Sequence, residues 1–280
     1  MNILYGTALL ALTAAACWGA GDFAGGLVTR RSDALRSVLF TYSVGLVALL
    51  IVAFVRAEPV PALADLGWGA LAGLCGMIGV GFLFQGFAAG RMGIVAPVSG
   101  VLAAGIPVIF NSFSEGLPRT SQLIGFGIAI LGIWLLARPE KLGVEPAGLG
   151  LAIMAGLGFG SFFIALDQVS ATAVFWPLIA GRVSACAVMV VFAIVTRRTL
   201  RPDRSLVGLL LLAGLLDVAG NFFFLLAVQG GRLDIAAVLA SLYPAMTAIL
   251  AFVLIKERLT RIQVYGVCAA ILAIVLITSG

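Results

Sequence analysis

Long apolar stretches recur along the whole chain, and the short connectors between them hold most of the charges, prolines and turn residues. Each stretch has about 20 residues, which is the length that an α-helix needs to cross the hydrocarbon core of a bilayer. The pattern predicts an all-α integral membrane protein of ten transmembrane helices. The first five cover residues 4–26, 34–55, 66–89, 94–113 and 121–137, and the second five cover residues 147–168, 174–195, 206–229, 234–255 and 262–279.

The second half of the sequence repeats the register of the first half after a shift of 141 residues. Matches between Ala, Leu and Gly are common by chance in such a sequence, so pairs of rarer residues weigh most. The pairs are Arg56 with Arg197, Pro61 with Pro202, Gln122 with Gln263, and also Gly73 with Gly214. We therefore expect two five-helix repeats, at residues 1–139 and 140–280. Because five is an odd number, the second repeat would cross the membrane in the opposite orientation, as in many secondary transporters.

The composition excludes a water-soluble fold and makes several kinds of site improbable. Hydrophobic residues make up 62% of the chain and charged residues 10%, against roughly 45–50% and 25% in soluble domains. The chain has no histidine, the commonest general base and metal ligand, so we expect neither an enzyme nor a cofactor or metal site. Its four cysteines lie singly within apolar stretches, without the spacing of a zinc site; they are Cys17, Cys75, Cys186 and Cys268.

The positions of the basic residues predict an orientation in the membrane. The connectors after the odd-numbered predicted helices hold 13 of the 17 basic residues, and the other connectors hold three. Basic residues accumulate on the cytoplasmic side, so both termini are expected on the opposite side of the cytoplasmic membrane. The basic residues are dispersed and lack interleaved aromatic residues, so nucleic acid is not an expected partner. No basic residue precedes the first apolar stretch, which favours a retained helix over a cleaved signal peptide.

Three sequence features together resemble the EamA-type proteins of the drug/metabolite transporter superfamily. They are the Trp18-Gly19 pair in the first helix, Pro97 and Pro107 in the fourth, and the K-E-R-L-T sequence at residues 256–260 before the last. The resemblance covers the whole chain. It implies two five-helix repeats, transport by alternating access, and substrates such as amino acids, other small metabolites or drugs. It also favours export.

Ionisable residues deep in a membrane are costly unless they are paired or face water, so each is a candidate site residue. Arg182 lies near the middle of predicted helix 7, and Asp217 lies near the middle of predicted helix 8. Arg182 could bind an anionic group of a substrate, and Asp217 could accept a proton or a substrate amine. The alternative is a structural ion pair between them.

Helix 1 contributes a second carboxylate and an aromatic residue. Asp22 is a candidate proton or cation site, and Trp18 is a candidate wall for an apolar or aromatic substrate. Asp22 could instead be solvated near the helix end, and Trp18 could pack between helices. Asn221, one turn from Asp217, and Gln85 in helix 3 could each hydrogen-bond a polar substrate or another helix.

Two prolines in predicted helices 4 and 9 are candidate gating positions. Pro107 and Pro244, which follows Tyr243, each release a backbone carbonyl that can line a cavity or permit a bend. Both could instead only shape their helices. The run at residues 222–224 is expected to be a lipid-facing and packing surface.

Together these features predict a secondary active transporter, an exporter or exchanger, for a small organic metabolite or drug. Its expected partners are a small-molecule substrate and the lipid bilayer, with proton coupling as an option, in a monomer or homodimer. A membrane channel, or a scaffold or receptor without transport activity, is the alternative.

Overall fold

A computed structural model describes residues 3–29, 31–89, 92–114, 116–136, 146–198, 204–254 and 260–279. All regular secondary structure in these segments is helical. The first half contains α1 (Ile3–Thr29), α2 (Ala34–Arg56), α3 (Leu63–Ala88), α4 (Met92–Ser114) and α5 (Thr120–Leu136). The second half contains α6 (Pro146–Asp167), α7 (Phe175–Val195), α8 (Val207–Gln229), α9 (Leu233–Ala240), α10 (Tyr243–Leu254) and α11 (Arg261–Ser279). A 3₁₀ turn at Arg204–Leu206 leads into α8.

Nine of the ten predicted helices correspond to single helices, and the ninth predicted helix is broken into α9 and α10. The break falls at Ser241 and Leu242, just before Pro244. Proline has no N–H to donate and its ring clashes with the preceding turn, so it fits the start of a helix better than the interior. In α4, by contrast, the helix runs uninterrupted through the buried Pro107.

Six helical segments of the described chain are long and apolar enough to cross a membrane. They are Leu4–Thr29, Ala34–Arg56, Leu63–Ala88, Gly148–Asp167, Phe175–Val195 and Arg204–Gln229. Four further apolar helical segments are shorter, at Val98–Ser114, Thr120–Leu135, Leu233–Thr247, which includes the break between α9 and α10, and Val264–Ile277. The fold is therefore that of an all-α, multi-pass membrane protein, and the full count of ten crossings stays a prediction.

The helices of the two halves pack in corresponding pairs. α1 lies along α8 and α3 lies along α6, while α2 packs against α7 and α5 against α11. Small residues permit these close approaches. A Cβ at Gly73 of α3 would overlap the backbone of Gly181 in α7, and a Cβ at Gly214 of α8 would lie 2.6 Å from the carbonyl oxygen of Thr41 in α2. Gly73 and Gly214 are equivalent in the 141-residue register, so related positions make related contacts.

Polar contacts between connectors show how α2 and α7 run. Before α2, the carboxylate of Asp33 accepts a bond from Nη1 of Arg198, beyond the end of α7, at 3.2 Å. After α2, the carboxylate of Glu58 accepts bonds of 2.8–3.2 Å from the N–H groups at residues 174–176, at the start of α7. A carboxylate there satisfies unpaired N–H groups and complements the helix dipole. The start of one helix thus meets the end of the other at both ends, and the two run antiparallel.

Candidate functional site

A central cavity lies between the two halves of the protein, and residues of six helices line it. Its volume is about 460 Å³, counting its open part. The lining residues are Trp18 and Asp22 of α1, Tyr42 of α2, Gly76 and Val80 of α3, Phe159, Phe162 and Phe163 of α6, Asp217 and Asn221 of α8, and Tyr243 of α10. The cavity therefore brings together five of the residues singled out in the sequence.

Arg182 and Asp217 form an ion pair at one side of this cavity. Nη2 of Arg182 donates to Oδ2 of Asp217, and the Arg182 side chain is only 4% exposed. The guanidinium also lies over the ring of Tyr42, with Cζ 4.0 Å from the ring centroid. An opposite charge and an aromatic face both compensate for the loss of hydration of a buried guanidinium. The expected pairing is present, and it joins α7 to α8.

Trp18 is held by a hydrogen bond and by aromatic neighbours. Its Nε1–H donates to Oδ1 of Asn221 at 2.9 Å. Its ring centroid lies 5.7 Å from that of Phe163, 5.6 Å from that of Phe224 and 6.1 Å from that of Phe162. These are normal separations for interacting aromatic rings. Trp18 therefore presents a fixed surface to the cavity and also packs between helices.

Asp22 lies one turn beyond Trp18 and lines the same cavity. Unlike Asp217, it forms no ion pair or hydrogen bond with a residue of the described chain. Burial of a charged carboxylate is unfavourable without such partners. Asp22 therefore requires a proton, water or a bound cation to compensate its charge.

The break between α9 and α10 brings Tyr243 to the cavity. The Tyr243 hydroxyl lies 3.4 Å from Oγ of Ser99 in α4, and its ring meets that of Phe159 edge to face at 6.4 Å. One turn on, Oγ1 of Thr247 donates to the carbonyl oxygens of Gly19, at 2.9 Å, and Tyr243, at 3.3 Å. Pro244 is buried beside this contact. The break and its neighbours thus connect α10 to both α1 and α4.

The cavity lining follows the repeat register with different chemistry in each half. Four pairs of lining positions are 141 residues apart: Trp18 with Phe159, Asp22 with Phe163, Gly76 with Asp217, and Val80 with Asn221. The polar members all lie on α1 and α8, which pack together, and their counterparts on α3 and α6 are apolar. The cavity therefore has a polar wall (Trp18, Asp22, Asp217 and Asn221) and an apolar wall (Gly76, Val80, Phe159, Phe162 and Phe163). Applying the 141-residue shift to the candidates would have found most of this apolar wall.

Two candidates lie away from the cavity. Gln85 is exposed near the end of α3. It is nine residues from Gly76, which at 100° per residue places it on the opposite side of the helix. The expectation that Gln85 reaches across the cavity is therefore wrong for this structure. Pro107 is buried within α4 and is not among the cavity-lining residues.

Two other placements differ from the sequence interpretation. Arg182 lines an adjoining space of about 270 Å³ and reaches the central cavity through Asp217. Phe224 is fully buried against Trp18 and Phe163. The expected packing role is therefore confirmed for this residue, and the expected exposure to lipid is wrong. Seven residues separate it from Asp217, which places both on one face of α8. Within the described segments, no group of three potential metal ligands occurs.

Comparison with known proteins identifies the family. The profile of the EamA-like transporter family matches the chain twice, at residues 6–138 and 146–279. An uncharacterized protein of Methanocaldococcus jannaschii is 23% identical over 130 residues, which span 46% of this chain and 93% of that protein. A solved crystal structure with 15% identity aligns with a TM-score of 0.82 over 97% of this chain and 98% of its own, a likeness of fold. The chain is a multi-pass membrane protein that belongs to the EamA-like transporter family of the drug/metabolite transporter superfamily, as its motifs predicted.

Proposed function

We propose that this protein is a secondary transporter that carries a small organic solute through the central cavity by alternating access. The observation that carries the proposal is the cavity itself, since four pairs of equivalent positions from the two halves line it. Secondary transporters with inverted repeats bind their substrates at such an interface, near the middle of the membrane.

The proposed plan has ten membrane crossings in two inverted repeats, residues 1–139 and 140–280, in the cytoplasmic membrane. The antiparallel packing of α2 against α7 supports this plan, because these are the second helices of the two halves. The reciprocal pairs α1 with α8 and α3 with α6 support it further. Each pair joins the first helix of one half to the third helix of the other.

A conformational difference between the halves supports alternating access. The chain is broken at Ser241 and Leu242, whereas α4 is helical through the equivalent residues Gly100 and Val101. Inverted repeats with identical conformations would leave the two ends of the pathway equally open or closed. With different conformations, one end is open and the other closed, and exchange of the two conformations between the halves reverses the access.

Export or exchange is the proposed direction, and it rests on the family resemblance. Asp22 and Asp217 are the proposed carboxylates for coupling to protons, and Asp22 is favoured because Asp217 is paired with Arg182. Asn221 and Tyr243 are proposed to contact substrate from the polar wall and from the α9–α10 break, respectively. Pro244 is proposed to set the position of that break.

Cysteine labelling tests alternating access and requires no identified substrate. Val80→Cys is introduced into full-length protein that lacks Cys17, Cys75, Cys186 and Cys268, and a membrane-impermeant maleimide is added from one face of sealed vesicles at a time. A second version carries Asp33→Cys and Arg198→Cys, at two positions whose native side chains meet with 3.2 Å between Oδ2 and Nη1. The length of the arginine side chain separates the two backbones, so a reducible bifunctional thiol reagent, a bis-methanethiosulfonate, is used to bridge the two cysteines and lock that end. The bridge is formed before the cavity is labelled.

Alternating access predicts that the lock abolishes labelling from its own face and increases labelling from the opposite face. Reduction should restore the original pattern. A protein with Asp33→Cys alone, treated identically, is the control for reaction of the reagent without a bridge. A channel would instead show an unchanged rate from the opposite face, and that result would refute the proposed mechanism.

A further inference from the structure

The charges around the central cavity do not balance. Three groups that can carry a charge lie there: Asp22 and Asp217 line the cavity, and Arg182 pairs with Asp217 from the side. The pair is internally neutral, because one guanidinium meets one carboxylate. Asp22 is left as the carboxylate that no ion pair of the described chain compensates.

Three hydrogen-bond donors in and beside the cavity are engaged by groups other than Asp22. The indole N–H of Trp18 donates to Asn221, and the guanidinium of Arg182 donates to Asp217. The Tyr243 hydroxyl lies against Ser99. A ligand with a donor or a positive charge would therefore satisfy Asp22 better than these protein groups do.

The rest of the lining favours a cation attached to an apolar body. Trp18, one turn from Asp22, and Phe159 and Tyr243 nearby offer aromatic faces, which attract cations. The apolar wall across the cavity, on α3 and α6, offers no charged or amide side chain. A ligand with one charged end and one apolar end matches both walls at once.

Anions and zwitterions match this cavity less well. An anion would lie close to the negative charge of Asp22. The carboxylate of a zwitterion would need a cation, and the guanidinium of Arg182 is already engaged by Asp217 and by the ring of Tyr42. A neutral ligand would provide no counter-charge, so Asp22 would still need a proton or water.

We infer that the central cavity binds a small organic monocation, with its protonated amine at the Asp22 carboxylate and its apolar body against the wall formed by α3 and α6. This inference rests on the proposed function for the identity of the cavity as a substrate site, and it narrows the substrate class from organic solutes to amines. Asp22 is the specificity-determining residue, and the Arg182–Asp217 pair positions the adjoining helices without binding the amine.

Equilibrium binding to purified full-length protein tests the inference separately from transport. Three probes share a benzyl or phenyl body and differ in charge: benzylammonium, benzyl alcohol and benzoate. Calorimetry at one pH should give benzylammonium a dissociation constant at least about tenfold lower than that of either other probe. The Asp22→Asn protein should lose this preference, and Asp22→Glu should keep part of it.

Asp167→Asn is the matched control, because Asp167 lies at the end of α6 beside Gln168 and outside the cavity. This variant should bind benzylammonium like the original protein. Melting temperatures of all variants show whether any loss of binding reflects misfolding. Equal affinity for the three probes, or an Asp22→Asn protein that is folded and still prefers benzylammonium, would overturn the inference. Ligand binding and melting temperature do not depend on flux. A failure of this inference can therefore be distinguished from a failure of alternating access, which the labelling experiment tests.

Discussion

The indole N–H of Trp18 donates a hydrogen bond to the amide oxygen of Asn221, 203 residues away in the sequence. The bond joins α1 of the first half to α8 of the second, directly beside the two carboxylates of the cavity. The polar wall is therefore assembled from both halves, and its geometry depends on their contact.

Removal of this bond should have a small effect on stability, and removal of the ring a large one. Trp18→Phe keeps an aromatic ring and loses the donor, so a loss of about 1 kcal/mol is expected. Trp18→Ala leaves a void among Phe162, Phe163 and Phe224, with an expected loss of about 3–5 kcal/mol. Denaturation in detergent measures both. Trp68→Phe is the control, because Trp68 is an exposed tryptophan of α3. Equal losses for the two Trp18 variants would contradict this account.

Disruption of the Arg182–Asp217 pair should destabilise the protein more than removal of both charges. Asp217→Asn leaves a buried guanidinium without its counter-charge, at an expected cost of about 3–5 kcal/mol. Addition of Arg182→Gln to the Asp217→Asn protein should reverse part of the decrease in melting temperature. If Asp217 instead carries the coupling proton, Asp217→Asn would melt normally and lose about tenfold or more of its proton-coupled flux. A normal melting temperature together with normal flux would exclude both roles.

Alanine should be tolerated at some glycines and not at others, depending on the packing of the helices. A Cβ at Gly73 or Gly214 would run into a neighbouring backbone, whereas nothing lies within 4 Å of a Cβ at Gly81 or Gly208. Gly81 shares α3 with Gly73, and Gly208 shares α8 with Gly214, so the pairs are matched by helix. Gly73→Ala and Gly214→Ala should lower the melting temperature, while the two controls should be neutral or more stable by up to about 1 kcal/mol. Similar values for Gly73→Ala and Gly81→Ala would show that the close approach is absent.

The charge distribution predicts that the C-terminus lies outside the cytoplasm, because 13 basic residues occupy one set of connectors and three the other. A C-terminal fusion to alkaline phosphatase should be active, and a fusion to a fluorescent protein that matures only in the cytoplasm should stay dark. The reverse result would invert the orientation without changing the number of helices.

The sequence determined the positions of the helices, since the length and apolarity of each stretch are local properties. It also identified Asp22, Asp217 and Arg182 as candidate site residues, because a charge within an apolar stretch is conspicuous however the helix packs. The family motifs and the 141-residue register were likewise readable in the sequence.

Only the tertiary structure decided which side of each helix faces the cavity. Helices that are apolar all round carry no polar stripe to mark their buried face, so Gln85 and Phe224 could not be placed correctly from the sequence. The Trp18–Asn221 bond requires α1 to pack on α8, and the break at Ser241 lies where α9 and α10 pack against α1 and α4. Such pairings join residues far apart in the chain, and no local pattern specifies them.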